Sequence, residues 1–273
     1  MQKLLAYLLL LIFFQWKDVL GLNLNQTVDV VKLAKLVQPS GPQGRVIGGE
    51  VTTSEKLGGY LVVLRYTKDF VCGGTLIHDL IVLTAAHCFT GRPRIREWTV
   101  EGGVSKLTDR GIMRRVKTIV KSKQFRDSDM NMDVALIRLD KAMTGKNIGK
   151  LALCSNHLRT GTLMKVSGWG MIKEAGMGPE TLLRTVTVPV LGRRKCRKDY
   201  KPTAVLTDSM FCASILGKKD ACTFDSGGPL VYQNQVCGIV SFGLGCASPK
   251  YAGVYTDVVY TKPFIEKTMK ILL

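Results

Sequence analysis

After Arg45 the chain is built from short β-type runs, and that rhythm constrains its fold more than any other feature. The runs fall at 60–66, 76–84, 98–100, 134–139, 186–191, 236–242 and 253–258, with glycine and charged turns between them. Short strands at such spacing predict an all-β barrel or sandwich. The last stretch differs. Thr261-Lys262-Pro263 reads as a helix start, and Ile265, Met269 and Leu272 then fall on one helical face. The 273 residues, 46% of them hydrophobic, are enough for one or two packed cores. Two barrels, roughly 46–148 and 149–260, account for the length, and one amphipathic helix closes the chain.

The N-terminus has the layout of a secretory signal. Lys3 supplies a positive charge and residues 4–14 are an unbroken apolar run, too short to span a bilayer as a helix. Cleavage near Val19-Leu20-Gly21 makes 1–21 the signal peptide; a retained anchor is the alternative. No later apolar run is long enough for a membrane helix. Residues 22–45 read as a propeptide. They lack cysteine and end in Pro39-Ser40-Gly41-Pro42-Gln43-Gly44-Arg45, a composition expected of exposed chain. Asn25-Gln26-Thr27 is a glycosylation sequon. A secreted, extracellular chain would hold its eight cysteines as disulfides. Eight cysteines permit 105 connectivities, so spacing alone leaves the pairing open. The histidines are only His78, His87 and His157, with no Cys/His cluster at zinc spacing. No metal and no cofactor is expected.

The net charge is +18. Residues 1–45 hold five basic and two acidic side chains, which leaves +15 on the remainder. Basic residues cluster at Arg114, Arg115, Lys117, Lys121 and Lys123, and again at Arg193, Arg194, Lys195, Arg197 and Lys198. Such clusters attract glycosaminoglycans, acidic proteins or nucleic acid, or simply form a solvated basic surface. A polyanion contact is therefore carried as an expectation. Sequence-specific nucleic-acid binding and membrane insertion are not.

Three local motifs matter together: Thr84-Ala85-Ala86-His87-Cys88, Asp133-Val134-Ala135-Leu136-Ile137, and Asp225-Ser226-Gly227-Gly228-Pro229. They place His, Asp and Ser in that chain order, which separates them from the subtilisin and α/β-hydrolase orders. A serine hydroxyl is a poor nucleophile at neutral pH. Ser226 needs a base, which His87 can be, and Asp133 would hold the imidazole tautomer and stabilise its protonated form.

With these motifs the chain resembles the chymotrypsin-fold, trypsin-like serine proteases from Arg45 to about Ile265. Val46-Ile47-Gly48-Gly49, Ser167-Gly168-Trp169-Gly170, Met210-Phe211-Cys212-Ala213, Ser241-Phe242-Gly243 and Gly253-Val254-Tyr255 fit as well. Its short propeptide and loops resemble insect single-domain secreted proteases, including the seminal-fluid type. The resemblance implies two six-stranded antiparallel β-barrels with the catalytic cleft between them and a C-terminal α-helix. It implies a monomer acting on protein substrates, activated by a trypsin-like protease or by itself, and restrained by protein inhibitors.

The resemblance also assigns roles. Cleavage after Arg45 would free the α-amino group of Val46, which pairs with Asp225 beside the nucleophile. Asp220 would sit at the floor of the primary pocket and attract Arg or Lys, with Gly243 and Gly253 as small wall positions. A buried carboxylate without a partner is costly, so a basic substrate gains over an apolar one. The implied disulfides are Cys72–Cys88, Cys196–Cys212 and Cys222–Cys246, leaving Cys154 with Cys237. Many family members have that last cysteine a few residues earlier, where Tyr232 stands here.

Two departures from the family stand out. Phe224 replaces the glycine normally found two residues before the nucleophile; its backbone N–H and that of Ser226 are the expected oxyanion-hole donors. A positive φ there would cost a non-glycine residue about 1–2 kcal/mol, and loss of one donor lowers turnover about 10²–10³-fold. The expectation is an enzyme that is slow or selective and resists bulky protein inhibitors. The alternative is a weak or inactive homologue acting as a binding or regulatory protein. Second, residues 102–115 hold only Asp109 as an acid where some trypsins bind calcium, so no calcium site is expected.

Overall fold

A computed structural model describes residues 49–170, 179, 181–221 and 225–273. Fourteen strands dominate them. The first half closes on itself. Strands β2 (Leu61–Tyr66), β3 (Asp69–His78), β4 (Ile81–Thr84), β5 (Trp98–Gly102), β6 (Ile112–Lys121) and β7 (Ala135–Leu139) form a barrel in the order β2-β3-β4-β7-β6-β5, with β5 paired back onto β2. Leu61, Leu64, Leu83, Leu136 and Ile137 belong to the hydrophobic core built on its strands and are almost fully buried. Burying each such side chain is worth about 1.5–3 kcal/mol.

The second half forms an eight-stranded sheet. Its strands are β1 (Glu50–Val51), β8 (Ala152–Leu153), β9 (Leu163–Gly168), β10 (Arg184–Pro189), β11 (Met210–Ala213), β12 (Pro229–Tyr232), β13 (Gln235–Phe242) and β14 (Gly253–Asp257). The order is β1-β10-β9-β12-β13-β14-β11, with β8 parallel to β13. Six of these strands make a ring that shuts through one bridge, Val190 to Ala213. Around it Leu191 N–H donates to Cys212 O at 2.8 Å and Ser214 N–H to Pro189 O at 3.2 Å. β1 crosses from the first half of the chain to pair with β10.

Among the described residues the helices are α1 (Ser54–Leu57), α2 (Arg193–Tyr200) and α3 (Val258–Leu272), with 3₁₀ turns at Ala86–Phe89 and Ile95–Glu97. The expected terminal helix is α3, and Ile265 and Leu272 are buried as its periodicity predicts, with Met269 packed beside them. It starts earlier than Thr261. Asp257 caps it by accepting from the N–H groups of Val259 and Tyr260, so Pro263 lies inside the helix and not at its first position.

Other departures are local. The run 76–84 is two strands, because Asp79-Leu80 turns the chain between His78 and Ile81. β6 escapes a hydropathy reading because its exposed positions are Met113, Arg115, Lys117 and Lys121 and a register shift falls between Val116 and Thr118. α2 escapes it too: only Cys196 and Tyr200, one turn apart, face inward. Disulfides Cys72–Cys88, Cys154–Cys237 and Cys196–Cys212 are present. Cys246 is also disulfide-bonded, and its expected partner Cys222 lies outside the described residues. Among the described residues no helix is long and apolar enough to cross a membrane.

Candidate active site

β4 ends at Thr84 and the chain turns at once into the 3₁₀ turn that carries His87. The Cys72–Cys88 disulfide anchors that turn to β3. Closing a loop of this length contributes about 3 kcal/mol. Asp133 precedes β7, the neighbour of β4, so strand pairing brings the two motifs together. His87 Nδ1 lies 2.8 Å from Asp133 Oδ2, and the His87 backbone N–H donates to Oδ1 at 2.9 Å. Asp133 is fully buried, while the imidazole keeps partial exposure. A carboxylate held at Nδ1 selects the tautomer that presents Nε2 as a base.

The second half of the chain supplies two further supports to Asp133 and one to the residues before it. Ser241 Oγ donates to Oδ2 at 2.6 Å, and Thr256 Oγ1 donates to the Asp133 carbonyl at 2.9 Å. Ser209 works one residue earlier. Its hydroxyl accepts the Met132 N–H at 3.0 Å and donates to Asn131 Oδ1 at 3.2 Å. Met132 has φ +52°, a left-handed conformation uncommon outside glycine. Sequence reasoning quoted Ser241 within a motif but gave it no role. Thr256 and Ser209 carried no local signal, standing 123 and 77 residues from their partners.

Ser226 opens the segment that leads into β12, against the first barrel. Its carbonyl accepts the Gly73 N–H at 2.9 Å. Gly227 has φ +76°, and a Cβ there would stand 2.2 Å from Thr84 Oγ1, so glycine is required beside the nucleophile candidate. Through Gly73, Thr84 and Ala85 the Ser226 segment abuts the strand ends that lead to His87. Asp225 is buried and accepts the Gly170 N–H at 2.8 Å. A Cβ at Gly168 or Gly170 would lie 2.1 or 2.3 Å from its carboxylate, which gives the Ser167-Gly168-Trp169-Gly170 motif a physical reason.

The three expected pocket residues also converge. A Cβ on Gly253 would lie 2.5 Å from Asp220 Oδ1, and one on Gly243 would reach 3.9 Å from Gly253 Cα. Asp220 is 1% exposed, and its Oδ1 has no hydrogen-bond partner among the described residues. Burial pushes its carboxyl up to about 8; the backbone of Ala221 and Gly253 and the Ser214 side chain offset only part of that, and the charge of Asp225 adds to it. A cation is the natural complement to such a group.

Arg45, Val46 and Phe224 lie outside the described residues. Cys72, His87 and Cys88 do place potential ligand atoms within 4.8 Å of one another, but the two sulfurs are joined in a disulfide and offer no thiolate. Asp109 accepts the Ser105 and Lys106 N–H groups and so caps a turn.

A family model described as Trypsin matches residues 46–265. The chain belongs to the trypsin family of serine proteases. It is 61% identical over 253 residues to Seminase of Drosophila melanogaster, covering 93% of this chain and 92% of that protein. It is 35% identical to Trypsin eta of the same organism over 82% of this chain and 88% of that protein. It is 34% identical to the vitellin-degrading protease of Bombyx mori over 85% and 89%. The family and the fold make it a trypsin-like serine endopeptidase, an enzyme acting on protein substrates.

Proposed function

We propose that the protease is secreted as a zymogen, activated by cleavage after Arg45, and cuts peptide bonds after Arg or Lys. In this reading Ser226 is the nucleophile, His87 the general base and Asp133 its orienting carboxylate. The observation that carries it is the pairing of a His87–Asp133 contact with a second buried carboxylate, Asp220, one oxygen of which has no hydrogen-bond partner among the described residues. The first gives reactivity and the second gives a reason for a cationic substrate side chain.

The activation step rests on position and on Asp225. Residues 1–21 act as the signal peptide and 22–45 as the propeptide, and the family match begins at Val46. The freed Val46 amino group would join Asp225, whose carboxylate already lies buried against Gly168 and Gly170. A buried ion pair of this kind biases a loop between two arrangements. With no cysteine before Arg45, no disulfide retains the propeptide. The activator is a trypsin-like protease or the enzyme itself.

The backbone N–H groups of Phe224 and Ser226 serve as the oxyanion hole, and Phe224 makes turnover slow or selective and excludes bulky protein inhibitors. A fluorophosphonate probe tests the whole scheme. It should label the chain only after cleavage following Arg45, with the label on Ser226. Labelling of the uncut chain, or of no residue in a correctly cut one, overturns it; the latter result would favour the weak or inactive binding protein.

A further inference from the structure

Helix α2 carries more positive charge than its own stability explains. Residues 193–201 hold six basic side chains and one acid, Asp199. Arg193, Arg194 and Lys195 occupy the first turn, at the positive end of the helix dipole, where acids stabilise and bases cost. The N-cap is Gly192, with no side-chain cap.

The helix sorts these residues into separate faces. Cys196 and Tyr200 point inward: the cysteine is bonded to Cys212 and the tyrosine hydroxyl donates to Ala252 O at 2.6 Å. Arg193 and Arg197, one turn apart, are clamped by acids, Arg193 by Asp257 at 3.1 Å and Arg197 by Asp208 at 2.5 Å. Lys195 pairs with Asp199. The remaining three, Arg194, Lys198 and Lys201, are exposed and have no ion pair among the described residues. Lys201 is the C-cap and keeps helical φ and ψ. At 100° per residue the three fall within an arc of about 60°, and at 1.5 Å per residue they span about 10 Å. Like charges so spaced oppose the helix by about 0.2–0.5 kcal/mol per pair.

We propose that this stripe is a docking surface for a sulfated polysaccharide. A straight row of cations spaced by about one helical turn complements a linear polymer with anionic groups along one edge. The stripe has no large exposed hydrophobic residue, which a protein partner would use as an anchor. It has no exposed aromatic ring on which a nucleic-acid base could stack. The second basic cluster is a fair control. Arg115, Lys117 and Lys121 are equally exposed but stand on strand β6 of the other barrel.

The experiment uses the full-length protease and heparin as the probe. The triple variant R194Q/K198Q/K201Q removes the stripe with a good helix former. The triple variant R115Q/K117Q/K121Q removes the same net charge from β6. The first should weaken heparin binding roughly tenfold or more at physiological salt and flatten its salt dependence. The second should change affinity by less than about threefold. Equal weakening in both, or none in either, overturns the proposal, because general charge or another surface would then be responsible. Single-stranded DNA or phosphatidylserine vesicles that compete as well as heparin through the same three residues also overturn it. Unchanged melting shows that each variant folds; if the first triple does not, the single variant K198Q carries the same comparison.

Discussion

The two halves of the protease solve the barrel problem differently. The first closes by continuous pairing of β2 with β5 over five residue pairs. The second shuts through the single Val190–Ala213 bridge. The halves also carry different chemistry. His87 and Asp133 sit at the ends of adjacent strands of the closed barrel, where pairing fixes their separation. Asp220, Asp225 and Ser226 sit in connections of the second sheet, held by buried charges and close-packed glycines. The lesson is a division of labour. In the proposed scheme the half closed by continuous pairing presents the base, and the half shut by one bridge presents the nucleophile and the pocket; the proposed activation step, through Asp225, acts on the second.

The largest effect expected from breaking this arrangement is in the first half. Asp133→Asn should lower kcat by about 10⁴-fold with the fold retained, because an amide at Nδ1 permits the wrong imidazole tautomer. Amide hydrolysis and circular dichroism check both parts. A loss below about tenfold would mean that His87 does not depend on Asp133.

The pocket should show a pH effect of the next size. Burial pushes the Asp220 carboxyl up to about 8, which favours its neutral form at lower pH, and a bound cation favours its ionised form. Binding therefore expels a proton. Benzamidine affinity should rise with pH up to about 8, by up to tenfold per unit, and then level off. Calorimetry in buffers of different ionisation enthalpy measures the released proton directly. An affinity flat from pH 6 to 8 contradicts the assignment, and Asp220→Asn should abolish the dependence.

Ser209→Ala sharpens the comparison at the contact between the halves. It strips a buried N–H of its acceptor next to Asp133, so stability should fall by about 1–3 kcal/mol. Chemical denaturation reads that loss. Substituting Thr should recover most of it, because the hydroxyl is kept.

The smallest effect is dynamic. Amide protons of Leu191 and Ser214, which close the second ring, should exchange through local opening, whereas those of Leu83 and Leu136 should exchange only on global unfolding. Equal protection would erase the contrast between the halves.

What was legible in the sequence follows the same line. His87, Asp133 and Ser226 lie in short motifs, and the continuous apolar runs of β2 and β13 need only neighbours to be read. The Cys154–Cys237 pair, the one left over once the family resemblance had implied the other three, is present. Ser209 and Thr256 were invisible because their partners are distant in the chain and a buried hydroxyl has no periodicity. β6 was hidden by its outward charges, and α2 read as a basic patch because two inward residues are too few to declare a helix. The early start of α3 was missed because an Asp cap at 257 outweighs the usual preference of proline for a first turn.

The most direct test of the central claim is cleavage of the purified uncut chain after Arg45, followed by hydrolysis of Arg, Lys and Phe amide substrates, with Ser226→Ala alongside. The account predicts turnover on Arg and Lys, little on Phe, and none above background in the variant. A correctly cut, folded protein that hydrolyses none of them, or one that prefers Phe, contradicts it.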